Sequence, residues 1–506
     1  MESLKLILPV QHVFTDPTVE TDLARLRAWL DDLPLMDVVE TLHLVRGGLD
    51  GLNAQRLAPG PRLELLEAYR ATSEQLMHSL DPLQLGQLKL SRTRRTEAIA
   101  GIGCLLQSLA GGYKLLVADL YAGSSRDKPQ PQLDIALHRA LQLMVYVLLD
   151  NYRFYREVQP AQIAETHQLY RLARSFGFLG VTAPDAGVPG VTTAGYYHAG
   201  MLLALAEPAR LEEGEAGLLY DVLLRHADDC RILPGNSWDG AGEGIFLLDL
   251  QGDSLPQPCI QLESPVVLKD AYLLDANPAL RAIREQLAGT PAGLRMQSPE
   301  AMVLRRLLPE DRGTERRRQQ RHPDGRYVSL LHGLAQIHAY LLRGPGKGAA
   351  STGSGRSGQP QCRVLDSSAI GMKLAWEDGG AGDACVGDLL GVLEQQQGQQ
   401  VLRLAIIRSV RVPAQGEMET GVQLLAGGVG AVYCKLADQP GSAALPALFM
   451  PADESERTHA TLLAAKGVYA FGSRLIINVS GRTINVRAGR RVFDSPVFDR
   501  FEFAAH

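Results

Sequence analysis

Apolar positions along this chain recur with two different periods, and the change from one to the other divides it. Over residues 20–30, 61–80 and 93–120, Leu, Ala, Ile and Met return every three or four positions among Glu, Arg and Gln, which gathers an apolar stripe on one side of a helix. The same period runs through 132–156, 160–176, 193–205 and 211–226, with Pro and Gly clusters between most of the segments. Helices joined by short loops predict a bundle or a solenoid-like scaffold over residues 1–230. Residues 170–177 and 197–206 loosely suggest helical-hairpin repeats, but no fixed period joins them.

Residues 231–310 mix the two periods. Strand-like runs at 244–250 and 259–262 precede helical patterns at 278–287 and 299–308, which predicts a small mixed α/β or linker module. A charged segment follows, DRGTERRRQQRHPDGR over 311–326, and then a Gly/Ser-rich stretch at 344–358 that has too little apolar surface to pack. From residue 361 the period becomes that of strands: 362–365, 371–376, 386–393, 401–412, 421–425 and 432–436, separated by Gly, Pro, Asp and Gln turns. The runs 475–479 and 483–486 flank Ser480 and Gly481 as a hairpin would, and 491–503 suits a closing strand. The expected fold class is therefore multidomain α+β: a helical bundle or solenoid-like scaffold, the small module, and an antiparallel β-barrel over 311–506 with extra C-terminal strands.

Composition narrows the function classes. An apolar fraction of 45% and a charged fraction of 21% in 506 residues are those of a globular chain of two or three domains. A net charge of −5 gives no drive toward duplex nucleic acid or an anionic membrane, so no DNA partner is expected. The six cysteines stand singly, with no CxxC, and read as reduced, mostly buried thiols. The N-terminal MESLKLILPVQ is a poor signal peptide and the apolar run 143–149 is too short to span a bilayer, so a cytoplasmic protein without a membrane span is expected. His332 and His338 lack metal-ligand spacing, and around Lys347 the phosphate-loop pattern fails because Gly348 stands where Ser or Thr is required. No catalytic motif emerges, and no cofactor or metal is expected.

The informative residues stand where helix gives way to strand. Arg317 and Arg321 make RxxxR, with Arg316 and Arg318 beside them as possible additional members and Arg312 with Arg316 as an overlapping pair. Asp366, Ser368 and Gly371 make DxSxxG at the start of the β region, 45 positions after Arg321. Arginines on a lead-in followed by DxSxxG inside a strand–turn–strand pattern resemble the paired signature of the PilZ domain family. The resemblance covers residues 315–436, with TGVQLL at 420–425 similar to a family strand, and leaves the helical part unassigned. It implies a six-stranded barrel that binds cyclic di-GMP.

The chemistry of the residues agrees with that implication. Cyclic di-GMP presents two phosphates and two guanine edges, and an arginine fork pairs bidentately with phosphate or with guanine O6 and N7. By the resemblance, Asp366 accepts hydrogen bonds from a guanine edge and Ser368 bonds phosphate or base. Gly371 either lets backbone and ligand approach closely or takes a positive φ. Trp376 and Arg408 read as a packed residue and a surface charge. The chain is then a receptor or adaptor for cyclic di-GMP, not an enzyme, acting on a protein partner that the sequence does not identify. Two other readings fit the same residues: a scaffold or chaperone-like interaction protein with a degenerate barrel, and a β domain that binds single-stranded nucleic acid.

Overall fold

The computed structural model describes residues 3–13, 16–80, 90–183, 190–237, 243–259, 271–295, 297–308, 321–344, 360–377, 384–396, 399–438, 443–452, 459–479 and 481–505. The chain forms two units, Met1–Thr314 and Glu315–His506.

The first unit is built from α1 (Leu23–Asp31), α2 (Val38–Ala54), α3 (Pro59–Ser79), α4 (Arg92–Ala122), α5 (Leu133–Arg153), α6 (Pro160–Phe176), α7 (Thr193–Leu205), α8 (Glu215–His226), α9 (Asn277–Gly289), α10 (Ala292–Arg295) and α11 (Pro299–Leu307). Their starts are chemically marked. Asp22, Asp37, Ser91, Thr192 and Ser298 each accept the backbone N–H three residues on, satisfying a donor that the helix leaves unpaired. Helix α5 is buried along nearly its whole circumference and packs against α4, α6, α7 and α8, which makes it the axis of the bundle.

A small antiparallel sheet of β1 (Arg231–Pro234), β2 (Ile245–Leu248), β3 (Gln257–Pro258) and β4 (Tyr272–Asp275), in the order β1-β4-β2-β3, follows the bundle. Phe246, Leu248, Leu274, Leu280, Ile283 and Val303 from residues 231–308 share one apolar core with the bundle. Residues Thr93–Ala122 of α4 are long and apolar enough to cross a membrane, a stretch that the sequence reading passed over. In this fold 67% of the apolar 18-residue segment within it is buried.

The second unit contains two closed barrels. In the first, β6 (Tyr327–His332), β7 (Gln361–Ser368), β8 (Gly371–Trp376), β9 (Leu389–Gln396), β10 (Gln399–Arg411) and β11 (Glu419–Leu424) pair antiparallel in the ring β7-β6-β9-β10-β11-β8, closed by β8 on β7. The short β5 (His322–Pro323) is added to the edge of β7. The second barrel orders β12 (Gly430–Leu436), β13 (Leu445–Met450), β14 (Thr461–Ala465), β15 (Arg474–Val479), β16 (Arg482–Asp494) and β17 (Phe498–Ala505) as β12-β13-β14-β17-β16-β15. The extra C-terminal strands are thus a barrel of their own, filled by Val432, Cys434, Leu462, Leu475, Ile477 and Phe501.

Helix α12 (Gly333–Arg343) joins the barrels. Ile337, completely buried, lies in one cluster with Leu404 and Ile406 of the first barrel and Leu448, Leu463 and Phe498 of the second. His338 Nε2 hydrogen-bonds with the Val432 carbonyl at 3.0 Å, and its ring stands edge-on to Tyr433.

Truncating a fully buried branched side chain removes its transfer energy and leaves a cavity. Ile337→Ala is expected to cost about 2–5 kcal/mol, read as a lower chemical-unfolding midpoint of the full chain. A midpoint equal to that of the wild type would show that α12 does not hold the barrels together.

Candidate functional site

The candidate site is assembled by three short pieces of backbone. Strand β5 pairs His322 with Ser367 and Pro323 with Asp366, which brings the preceding residue, Arg321, alongside Asp366. Proline is tolerated there because β5 is an edge strand with no ladder bond to lose. The lead-in is then pinned by Asp324. Its N–H donates to the Leu365 carbonyl at 3.1 Å, and its carboxylate accepts the Ser367 hydroxyl at 2.9 Å and the N–H groups of Gly325 and Arg326. Burial pushes the Asp324 carboxyl up, but these hydrogen bonds and the Arg326 charge outweigh it and hold the group below the usual carboxylate range.

Strand β7 carries a bulge between Val364 and Asp366, with Leu365 the extra residue. Cys362 and Val364 are fully buried inside the barrel. Past the bulge, Asp366 lies opposite Lys373, whose ammonium pairs with Glu419 at 2.8 Å on the barrel's outer face. The extra residue reverses the alternation and turns Asp366 outward.

Arg321 Nη1 donates to Asp366 Oδ1 at 2.7 Å, each side chain being 31% exposed. The third piece is the β7–β8 turn. Ser368 Oγ donates to the Gly371 carbonyl at 3.3 Å, and Leu424 N–H donates to the Ile370 carbonyl at 3.0 Å, tying the turn to β11. Gly371 does not take a positive φ. Its requirement is close approach: a Cβ there would stand 2.8 Å from the Val422 carbonyl oxygen and 3.5 Å from Arg321 Nη2. Of the two roles expected for this glycine, the conformational one is therefore corrected to the steric one.

Four of the motif residues, Arg321, Asp366, Ser368 and Gly371, meet on one outer face. Arg316, Arg317 and Arg318 lie outside the described residues, as does the Gly/Ser-rich stretch from residue 345 to 358 with Lys347. Trp376 is buried and its Nε1–H donates to Thr420 Oγ1 at 2.9 Å, the packing role expected of it. Asp324 lies near the end of the charged segment and belongs to neither motif. The Pro-Asp-Gly order at 323–325 is the turn signal that marks its backbone role.

Among the described residues no cluster of His, Cys, Asp and Glu could hold a metal ion. The cysteines are free. Burial pushes the thiols of Cys230 and Cys362 up to about 12 and that of Cys434 up to about 11, so none of these three is a ready nucleophile.

Comparison with known proteins adds an independent line. Residues 24–235 match the family model of the N-terminal domain of the cyclic-di-GMP receptor FimW, and residues 432–506 match that of the FimW C-terminal beta-barrel domain. The chain is similar to FimW. A curated relative, the cyclic-di-GMP receptor FimW of Pseudomonas aeruginosa, is 24% identical over 592 aligned positions, covering 99% of this chain and 93% of the relative. No solved structure matches. The FimW models fall on the helical unit and the second barrel, to either side of the PilZ-like stretch, and the helical part that the PilZ resemblance left unassigned is the longer of the two FimW matches.

The close approach at Gly371 gives a structural prediction. Gly371→Val is expected to push β8 away from β11 and lower the thermal midpoint of the full chain, whereas Lys373→Ala, two residues on and facing solvent, should change it little. Equal midpoints for Gly371→Val and the wild type would remove the steric role.

Proposed function

We propose that this chain is a cytoplasmic, non-enzymatic receptor for cyclic di-GMP that relays ligand occupancy to a protein partner. The observation that carries the reading is the outward-facing constellation of Arg321, Asp366, Ser368 and Gly371 on a six-stranded barrel. The similarity to FimW, whose name is that of a cyclic-di-GMP receptor, supports it.

Arg321 and Asp366 are each other's partner in the absence of ligand. A half-exposed pair of this kind is worth on the order of 1 kcal/mol or less, so it exchanges readily for better partners. A ligand phosphate takes the Arg321 guanidinium as a bidentate acceptor. The released Asp366 carboxylate accepts from the donor edge of a guanine, Ser368 bonds phosphate or base, and the bare Gly371 lets the ligand lie close to the strand. Arg317 is the second fork of RxxxR, with Arg316 and Arg318 beside it. Ligand held by Arg321 and the arginines before it changes how that basic segment is presented beside the barrel, and that change is what the partner reads.

Calorimetric titration of cyclic di-GMP into the full chain tests this, with Arg321→Ala and Asp366→Ala checked for folding. Saturable binding is expected in the wild type, weakened about tenfold or more in each variant. A folded wild type that binds no cyclic di-GMP would falsify the receptor reading and favour an interaction scaffold with a degenerate barrel.

A further inference from the structure

The outer face beyond Gly371 is laid out by two neighbouring strands. Gly371 of β8 lies opposite Gln423 of β11, and Lys373 opposite Gly421. Gly371 leaves its strand bare beside Arg321, whose Nη2 stands 3.5 Å from where a Gly371 Cβ would be, while the Ser409 hydroxyl fills the place of a Gly421 Cβ. Lys373, a second cation on this face, is paired with Glu419.

Strand β10, next to β11, has a bulge between Ile407 and Ser409. Ile407 is buried opposite Val422 inside the barrel, and Ser409 lies opposite the outward Gly421. The extra residue, Arg408, therefore shares the outer face with Ser409. Arg408 Nε donates to Gln423 Oε1 at 2.8 Å. Its guanidinium lies 4.6 Å from the ring centroid of Phe493 of β16, and that ring leans on Phe498 at 5.7 Å. One surface thus runs from Arg321 across Gly371 and Gln423 to Arg408, and ends on an aromatic ring of the second barrel. Gly371 on β8 and Arg408 on β10 stand two strand spacings apart, roughly 10 Å, the breadth of a purine nucleotide.

We propose that Arg408 is a further ligand-contacting residue: a cyclic di-GMP molecule held by Arg321 and the DxSxxG turn lies over Gly371 and Gln423 and places a phosphate or guanine edge on the Arg408 guanidinium. Gln423 and Phe493 are positioning residues that hold the fork on this face. The inference rests on the receptor reading above and extends the site by one cation that RxxxR and DxSxxG do not include. It also makes the ligand touch a group seated on the second barrel.

The test titrates cyclic di-GMP into the full chain carrying Arg408→Ala, Arg408→Lys, Arg408→Gln or Phe493→Leu, with unfolding midpoints measured in parallel. Arg408→Ala is expected to weaken binding about tenfold or more, and Arg408→Lys to recover part of the loss by keeping the charge without the fork. Phe493→Leu, which keeps the apolar volume but not the π face, is expected to weaken binding a few-fold. Arg408→Gln preserves hydrogen bonding to Gln423 without the charge and covers the case in which alanine lowers the midpoint. It is expected to bind as weakly as alanine, and wild-type affinity in it would reduce Arg408 to a structural role. Hydrogen exchange adds a readout that packing alone would not move: ligand should protect β16 around Phe493 in the wild type and not in Arg408→Ala. If the wild type binds and Arg408→Ala binds equally well, this inference fails and the receptor reading stands. If the wild type does not bind, both fall together.

Discussion

One extra residue in β7 decides which way the motif faces. Side chains alternate along a strand, so a strand that points Cys362 and Val364 into the barrel would point Asp366 inward too. That would carry a carboxylate into an apolar interior, at a cost far above any single hydrogen bond it could regain. The bulge at Leu365 resets the alternation, and the rest of the site is arranged around it. Strand β5 pairs with the reset stretch and delivers Arg321. Asp324 and Ser367 lock that pairing, and the turn beyond presents Gly371 to β11. The bulge at Arg408 does the same for β10, placing two consecutive residues outside. Both departures from regular pairing serve the same face, as expected where side chains must be re-aimed.

The second constraint is the core shared by the two barrels. Strand β10 is apolar on both faces: Ala405 and Ile407 fill its barrel, while Leu404 and Ile406 pack outward in the cluster with α12 and the second barrel. A strand buried on both sides reads as a continuous apolar run, and LAII at 404–407 is one. The barrel therefore has two kinds of outer surface, one covered by apolar packing and one left polar. Arg408 and Phe493 stand on the boundary between them.

Much of this was legible in the chain. Helices α4 and α7, which open on the Ser91 and Thr192 caps, are visible because capping and apolar pattern agree locally. Helix α2 escaped notice because Gly47, Gly48 and Gly51 depress its propensity, and its packing against α4 overrides that penalty. Strands β13 and β14, LPALFM and TLLAA, carry Leu and Ala where β-branched residues would have announced a strand, and only the closed barrel makes them extended. In the candidate site, DxSxxG spans the β7–β8 turn, as its strand–turn–strand setting predicts. The bulges were not legible, since a one-residue slip in pairing changes the direction of every later side chain and leaves no mark on composition. For that reason the sequence placed Asp366 in a motif but could not place Arg408 on the same face.

The size of the coupling between the barrels follows from the contact that would carry it. A ligand shifts a neighbouring element only by the difference in its interactions with the two states of that element. An arginine over an aromatic ring at an exposed site is worth about 0.5–1 kcal/mol. Drawing Arg408 toward a ligand, and so loosening or tightening its stack on Phe493, can therefore bias the second barrel only a few-fold. Any backbone residue that ligand fixes is a larger lever, at about 1–2 kcal/mol of conformational entropy each. In the proposed receptor a full switch would therefore rest on backbone ordering, with the Arg408 contact grading it. The small coupling has a structural counterpart: Phe493, on which Arg408 stacks, itself packs against the core that the two barrels share around Ile337.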